Sequence, residues 1–155
     1  LMVQLEHSVE NFILPSTSGK DFSLAENRDK YVIIYFYPKD DTPGCTSEGQ
    51  DFRDHWDAFK ERNCVVVGIS RDSLDSHESF KKKIELPFEL LSDVDGIVCK
   101  LFDVIKMKNV YGKQVLGIER STFVIDTHGI LRMEWRGVKV PGHVSEVLNF
   151  VVQDT

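Results

Sequence analysis

Cysteine is scarce in this 155-residue chain, which carries three, at positions 45, 64 and 99. None has a second sulfur one helical turn away, and the position three beyond Cys45 is Glu48. Without a C-x-x-C pair, disulfide exchange in the thioredoxin manner is not expected. The five histidines are scattered without H-x-x-x-H spacing, whereas a structural zinc site needs about four clustered ligands. Neither a metal nor another cofactor is therefore expected. Excess positive charge is missing too: 19 Lys and Arg against 25 Asp and Glu leave a net charge of −6. That balance argues against nucleic acid or an anionic membrane as partner, and the run Lys81, Lys82, Lys83 reads as a solvated helix face. The longest apolar stretch, YVIIYFY (31–37), is far too short to span a bilayer. The acidic N-terminal stretch lacks the basic and apolar regions of a signal peptide, and the odd, widely spaced cysteines form no disulfide framework. A reducing cytoplasm is the expected location. No linker, low-complexity segment or internal repeat appears. With 41% hydrophobic residues, this length suits one domain, 1–155, around a single core.

What is present is an alternation of strand and helix patterns. YVIIYFY is an unbroken apolar run, the pattern of a strand covered on both faces. Phe52, Trp56 and Phe59 recur at helical spacing and read as core. CVVVGIS (64–70) is a second buried strand, and Leu74, His77, Phe80 and Ile84 form one stripe of a helix. FELLSD (88–93) is a short strand or extended link into a helix over VDGIVCKLF (94–102). STFVID (121–126) and LRMEW (131–135) flank Thr127-His128-Gly129, a hairpin signal, and Val144, Val147, Leu148 and Val151 make a closing amphipathic helix. A β-α-β opening followed by a hairpin and a helix describes an α/β protein, a thioredoxin-like sandwich with a central mixed β-sheet flanked by helices.

The chemistry concentrates where the first apolar run breaks at Pro38 and a helical pattern begins beyond Gly44. Cys45 stands at that junction. Unpaired N–H groups and the positive end of the macrodipole favour a thiolate over a thiol at a helix start. With Thr42 as N-cap, Pro43 falls at N1 and Cys45 at N3; alternatively Ser47 caps, Gln50 completes a capping box, and Cys45 lies in the preceding loop. Polar neighbours from Asp40 to Glu48 argue against a sulfur that merely fills core. Asp40 and Asp41 oppose thiolate formation if they lie close, so a fixed cation is required nearby. The histidines carry no assigned chemistry: His7 and His128 fall in terminal or turn segments, His143 at a helix start, and His55 and His77 on helices.

The stretch Pro38-Lys39-Asp40-Asp41-Thr42-Pro43-Gly44-Cys45 matches the P-x-x-x-T-x-x-C motif of the peroxiredoxins, and its PKD-x-TPGCT form resembles the bacterioferritin comigratory protein subfamily. Segments 65–80, 86–98, 117–126 and the stretch through 140–143 are similar to that subfamily as well, so the likeness covers nearly the whole chain. The resemblance implies a thiol-dependent peroxidase that reduces hydrogen peroxide and organic hydroperoxides to water or alcohols. It implies Cys45 as the nucleophile that becomes a sulfenic acid, with Thr42 directing its hydroxyl at the peroxide. Pro38 would shield the thiolate, and Arg120 would hold anion and substrate. The backbone N–H groups of Gly44 and Cys45 add substrate donors. Such donors are needed, because lowering a thiol pKa from about 8.5 to about 6 is worth some 2 kcal/mol, while enzymes generally need about 8 or more. The expected partners are the peroxide and an external thiol reductant, thioredoxin or glutathione with glutaredoxin, acting on a monomer or weak dimer.

One departure bears on the second half of the cycle. Many of those relatives carry a resolving cysteine five residues after the nucleophile, where this chain has Gln50; another subset keeps it in the next helix, and 77–85 has none. Cys64 opens a buried strand and reads as core. Cys99 reads as lying about 130° from the centre of the face set by Val94, Ile97, Val98, Leu101 and Phe102, towards its outer side. It is thus the possible resolving thiol. A one-cysteine mechanism closed by an external thiol is expected first, and a two-cysteine mechanism through Cys99 second. Two other classes remain: a cysteine hydrolase or transferase with a histidine base, and a non-enzymatic thioredoxin-like binding module.

Overall fold

The unbroken apolar run beginning at Tyr31 lies in the middle of the molecule, with all six strand side chains buried, as a strand covered on both faces requires. The computed structural model describes residues 2–155. In chain order its elements are β1 (Ile13–Leu14), β2 (Phe22–Ser23), β3 (Tyr31–Phe36), α1 (Pro43–Asp54), α2 (Trp56–Glu61), β4 (Cys64–Ser70) and α3 (Leu74–Ile84). There follow β5 (Glu89–Ser92), α4 (Ile97–Leu101), β6 (Ile105–Val110), β7 (Lys113–Ile118), β8 (Ser121–Ile125), β9 (Leu131–Arg136) and α5 (His143–Asp154). The central sheet runs β5-β4-β3-β8-β9. β3 pairs in parallel with β4 and antiparallel with β8, so the sheet is mixed, as the β-α-β opening and the later hairpin predict.

The period of two in the strands divides the core into two apolar layers. Val32, Ile34 and Phe36 of β3 join Val67, Ile69 and Phe123 on one face, together with Val98, Cys99 and Phe102 around α4. Ile33, Tyr35 and Tyr37 point to the other face, where Phe52, Phe59, Phe80, Ile84, Val147 and Val151 bring in α1, α2, α3 and α5. Stacking of Tyr35 on Phe52, with centroids 4.5 Å apart, fixes α1 against the sheet beside the junction that carries Cys45.

Three segments differ from the sequence reading. The helical stripe through Phe52, Trp56 and Phe59 is two helices, because the chain breaks at His55 between α1 and α2. The segment 105–118, which received no assignment, is a β-hairpin whose turn, Tyr111-Gly112, has φ of 50° and 80°. A two-residue turn with both φ positive favours Asn, Asp or Gly at its first position, so Tyr111 there hides the hairpin and only Gly112 marks it. Finally, the helix over 94–102 is only α4, and its outward face was misjudged. Val94 and Ile97 are 57% and 68% exposed, whereas Cys99 is fully buried. The cause is local: Gly96, at φ 74°, turns the chain after Val94, so a count of 100° per residue from Val94 does not apply. The Asp93 carboxylate then accepts the backbone N–H groups of Val98 and Cys99, seating the start of α4 with Cys99 inward.

Candidate active site

β3, the central strand, delivers the chain to one end of the sheet at Tyr37, and the next five residues turn it into α1. Of the two helix starts open in the sequence, Thr42 is the N-cap and Pro43 the first helical residue, which places Cys45 in the first turn. Thr42 does not cap with its side chain. Its Oγ1 instead donates to the carbonyl of Lys39, 2.9 Å away. The N–H groups of Gly44 and Cys45, which have no intrahelical acceptor by position, are thus left without the usual side-chain cap. A carbonyl only accepts, so the Thr42 hydroxyl has spent its proton and offers lone pairs to a further donor. Cys45 itself is 2% exposed, and Pro38 is exposed where the strand leaves the sheet.

Topology brings in the distant partner. β8 pairs Ser121 with Phe36 at the end of β3, so Arg120, just ahead of β8, reaches the same sheet end as the loop to α1. Its Nη2 donates to Cys45 Sγ at 3.5 Å and its Nη1 to Glu48 Oε1 at 2.7 Å. Gly44 makes room: a Cβ there would stand 3.0 Å from Arg120 Nη2. The arrangement sets a fixed cation and free amide donors around one sulfur, which suits a reaction that passes through a sulfur anion and a departing oxyanion.

In the sequence Glu48 stands only as a polar neighbour of Cys45 at the position where a second cysteine is missing; the structure gives it a partner. It is fully buried, and its Oε2 has no partner among the described residues. Burial pushes its carboxyl up to about 7, although the Arg120 cation and hydrogen bond pull the other way. Arg120 is held above its ordinary range: burial opposes its charge, but Glu48 and Cys45 outweigh that. The sign of the stability effect follows. Between 4.5, the ordinary value, and about 7, the folded chain keeps a proton that the unfolded chain has lost, so this group's contribution to stability falls as pH rises. Glu48→Gln lacks that slope. Relative to the variant, the parent is expected to lose about 3 kcal/mol of stability between pH 4.5 and pH 8, read by denaturant unfolding; parallel profiles would contradict the assignment.

The two acids expected to oppose the thiolate are neutralised elsewhere. Asp41 pairs with Lys83 of α3 at 2.9 Å, and Asp40 turns into a buried cluster with Tyr37, Ser76 and His77. His77 is fully buried, as its place on the stripe with Leu74, Phe80 and Ile84 implies. His143 is buried too, against the Thr122 hydroxyl at 2.8 Å, and burial lowers its pKa to about 4, with the Arg120 charge adding to the effect. No histidine hydrogen-bonds to Cys45 among the described residues, which leaves the hydrolase alternative without its base.

A sequence profile described as the AhpC/TSA family matches residues 5–134. The chain belongs to that family. It is a peroxiredoxin of the bacterioferritin comigratory protein branch, as the motif around Cys45 implies. It is 48% identical over 148 residues to a putative peroxiredoxin bcp of Coxiella burnetii, covering 96% of this chain and 98% of that one. Peroxiredoxin Bcp of Bacillus subtilis is 45% identical over 148 residues, covering 96% and 94%. Among solved structures, PrxQ of Xylella fastidiosa superimposes with a TM-score of 0.94 at 40% identity, over 99% of this chain and 98% of that one. The bacterioferritin comigratory protein of Xanthomonas campestris gives 0.88 at 45% identity, over 92% and 91%. Peroxiredoxins are thiol-dependent peroxidases, and that is the activity of this chain.

Within the peroxiredoxin frame the other two thiols sit poorly for exchange with Cys45. All three cysteines are free and buried. Cys99 lies in the apolar layer on the opposite face of the sheet from Cys45. Burial, helped by the Asp93 carboxylate, pushes its thiol well up. Cys64 shares the face of Cys45 but pairs with Tyr31, at the far end of the six-residue β3. At about 3.3 Å per residue the two strand ends are roughly 16 Å apart, against the 4.4–6.8 Å between Cα atoms that a disulfide needs. Burial pushes the Cys64 thiol up to about 12. No helix among the described residues is long and apolar enough to cross a membrane.

Proposed function

We propose that Cys45 is the thiol that peroxide oxidises and that an external thiol restores it, a one-cysteine mechanism. The observation that carries this reading is the Arg120 Nη2 contact to Sγ at 3.5 Å, at a helix start whose N-cap leaves its side chain out of the cap. The Cys45 thiolate attacks one oxygen of the peroxide; the S–O bond forms as the O–O bond breaks, and the sulfur loses two electrons to become a sulfenic acid. The departing oxygen, stabilised by Arg120 and the amides of Gly44 and Cys45, takes a proton and leaves as water or an alcohol. Thr42 Oγ1 accepts the peroxide hydrogen bond that aligns the attack, and Pro38 screens the sulfur from solvent. An external thiol then attacks the sulfenic sulfur, forming a mixed disulfide and releasing water; a second thiol reduces that disulfide. Burial of Cys64 and Cys99, at the far strand end and across the sheet, supports an outside partner over Cys99 as the resolving thiol.

The reductant is thioredoxin or glutathione with glutaredoxin, and the three free cysteines fit a reducing cytoplasm. Hydrogen peroxide and organic hydroperoxides are both substrates in this reading. The Xanthomonas campestris relative, described for its alkyl peroxide reduction, supports the organic class. We read residues 1–155 as one domain acting as a monomer or weak dimer. Intact mass measured without reductant after one equivalent of peroxide tests the mechanism. Sulfenic acid, or its trapped adduct, is expected on Cys45 alone. Loss of two hydrogens, independent of protein concentration, would replace the one-cysteine mechanism with an internal disulfide.

A further inference from the structure

The loop between β3 and α1 is bound to α3 by a buried polar cluster that the reaction steps above do not use. Asp40 Oδ1 accepts from the Tyr37 hydroxyl at 2.6 Å, and its Oδ2 faces Ser76 Oγ at 2.8 Å and His77 Nδ1 at 2.7 Å. The other ring nitrogen of His77, Nε2, lies 2.9 Å from the carbonyl oxygen of Leu91. Hydrogen-bond accounting fixes the protons. A carbonyl only accepts, so Nε2 carries a hydrogen. Burial opposes the Asp40 charge, but the hydrogen bonds from His77 and Tyr37 outweigh it and hold the carboxyl below its ordinary value. Asp40 is therefore a carboxylate at the centre of the cluster, facing Nδ1 of a His77 ring that has no exposed surface and also lies 3.4 Å from the Tyr37 hydroxyl. Asp72 completes the cluster, its Oδ2 accepting the backbone N–H of Asp40 at 2.9 Å and the Ser70 hydroxyl. Ligand atoms of Asp40, Asp72 and His77 lie within 4.8 Å of one another, but hydrogen bonds already occupy them.

These bonds hold the segment that aims Cys45. Asp40 is two residues before the N-cap, and the adjacent Asp41, at φ 61°, is tied to Lys83 of the same helix α3. Helix α1 also packs closely on α3, since a Cβ on Gly49 would stand 3.0 Å from Ile84 Cδ1. Cys45 is 2% exposed in this closed form, so its sulfenic acid is out of reach of a bulky thiol until the loop and first turn open. We infer that His77 is a positioning residue for the peroxide reaction: held through Nε2 at the Leu91 carbonyl, it clamps the Asp40 carboxylate through Nδ1 and so holds the 38–42 loop and the first turn of α1 where Cys45 meets Arg120. It sets the balance between a closed form that reduces peroxide and an open form that meets the reductant. The inference rests on the reading of Cys45 as the oxidised thiol.

Asp40→Asn and His77→Gln each remove one half of the clamp. The second-order rate with hydrogen peroxide is expected to fall by about tenfold or more, the scale of a lost charge-assisted hydrogen bond. Hydrogen exchange of the amides of Thr46 and the following turn is expected to quicken by a similar factor, with Val66 and Val67 of β4 unchanged. A purely structural role would quicken helix and strand amides together. A carboxylate acting only as a charge near the sulfur would make Asp40→Asn faster with peroxide. Either outcome, or peroxide rates within about twofold of the parent, overturns the inference. If these chains do not fold, Ser76→Ala removes a single hydroxyl from Asp40 and carries the same comparison in the same direction. Failure of the Cys45 reading is distinguishable, since Cys45→Ser would then still consume peroxide whatever the exchange rates show.

Discussion

Cys45→Ser is expected to lower peroxide consumption, followed with a thiol reductant in excess, by about a thousandfold or more, while the chain stays folded. The substitution exchanges one small buried atom for another beside Arg120 Nη2, so the apolar layer around Phe52 and Tyr35 is left as it is. What disappears is the chemistry, because a serine oxygen is neither ionised near neutral pH nor able to take up an oxygen and give it back to a thiol. The other two sulfurs offer no substitute: burial raises both thiols, and neither has a guanidinium in hydrogen-bond contact among the described residues. If Cys45→Ser retains the parent rate, the proposed nucleophile is wrong even though the family is not in question.

Legibility in the sequence followed the range of the forces. β3, β4 and the closing helix were readable because their apolar patterns are local and their burial follows directly from periodicity. The helix start near Cys45 was readable to within about a turn, since Thr42-Pro43 and Ser47 with Gln50 both mark one, and the structure selects Thr42. Cys99 was misread because a single glycine conformation, at Gly96, decides where helical counting begins. Arg120 is 75 residues from Cys45 in sequence, and only the antiparallel pairing of β8 with β3 makes them neighbours. The family resemblance supplied that residue; spacing did not. Glu48 was invisible as the partner of Arg120 because nothing in the sequence says that its carboxylate faces inward, and the partners of His77 lie on other elements. The stripe of Leu74, His77, Phe80 and Ile84 did place His77 on the buried side, which was the available hint.

Arg120→Ala is expected to slow peroxide reduction by roughly a hundredfold or more, the scale of losing one oriented transition-state donor. The structure adds a complication that this single variant does not resolve. Arg120 is the partner of a fully buried carboxylate, so removing it strands Glu48, whose second oxygen already lacks a hydrogen bond. Breaking a buried pair from one side costs about 3 kcal/mol of stability, whereas removing both charges is far closer to neutral. The double variant Arg120→Ala, Glu48→Gln therefore separates the two roles. Its stability at pH 8 should return most of the way to that of the parent, while its peroxide rate should stay as low as in Arg120→Ala. The reasoning is that Nη2 serves the sulfur and Nη1 serves the carboxylate, so neutralising Glu48 repairs folding without restoring a cation beside Cys45. Recovery of the rate along with stability would mean that Arg120 acts by keeping α1 in place, and its proposed contact with the reacting oxygens would have to be withdrawn.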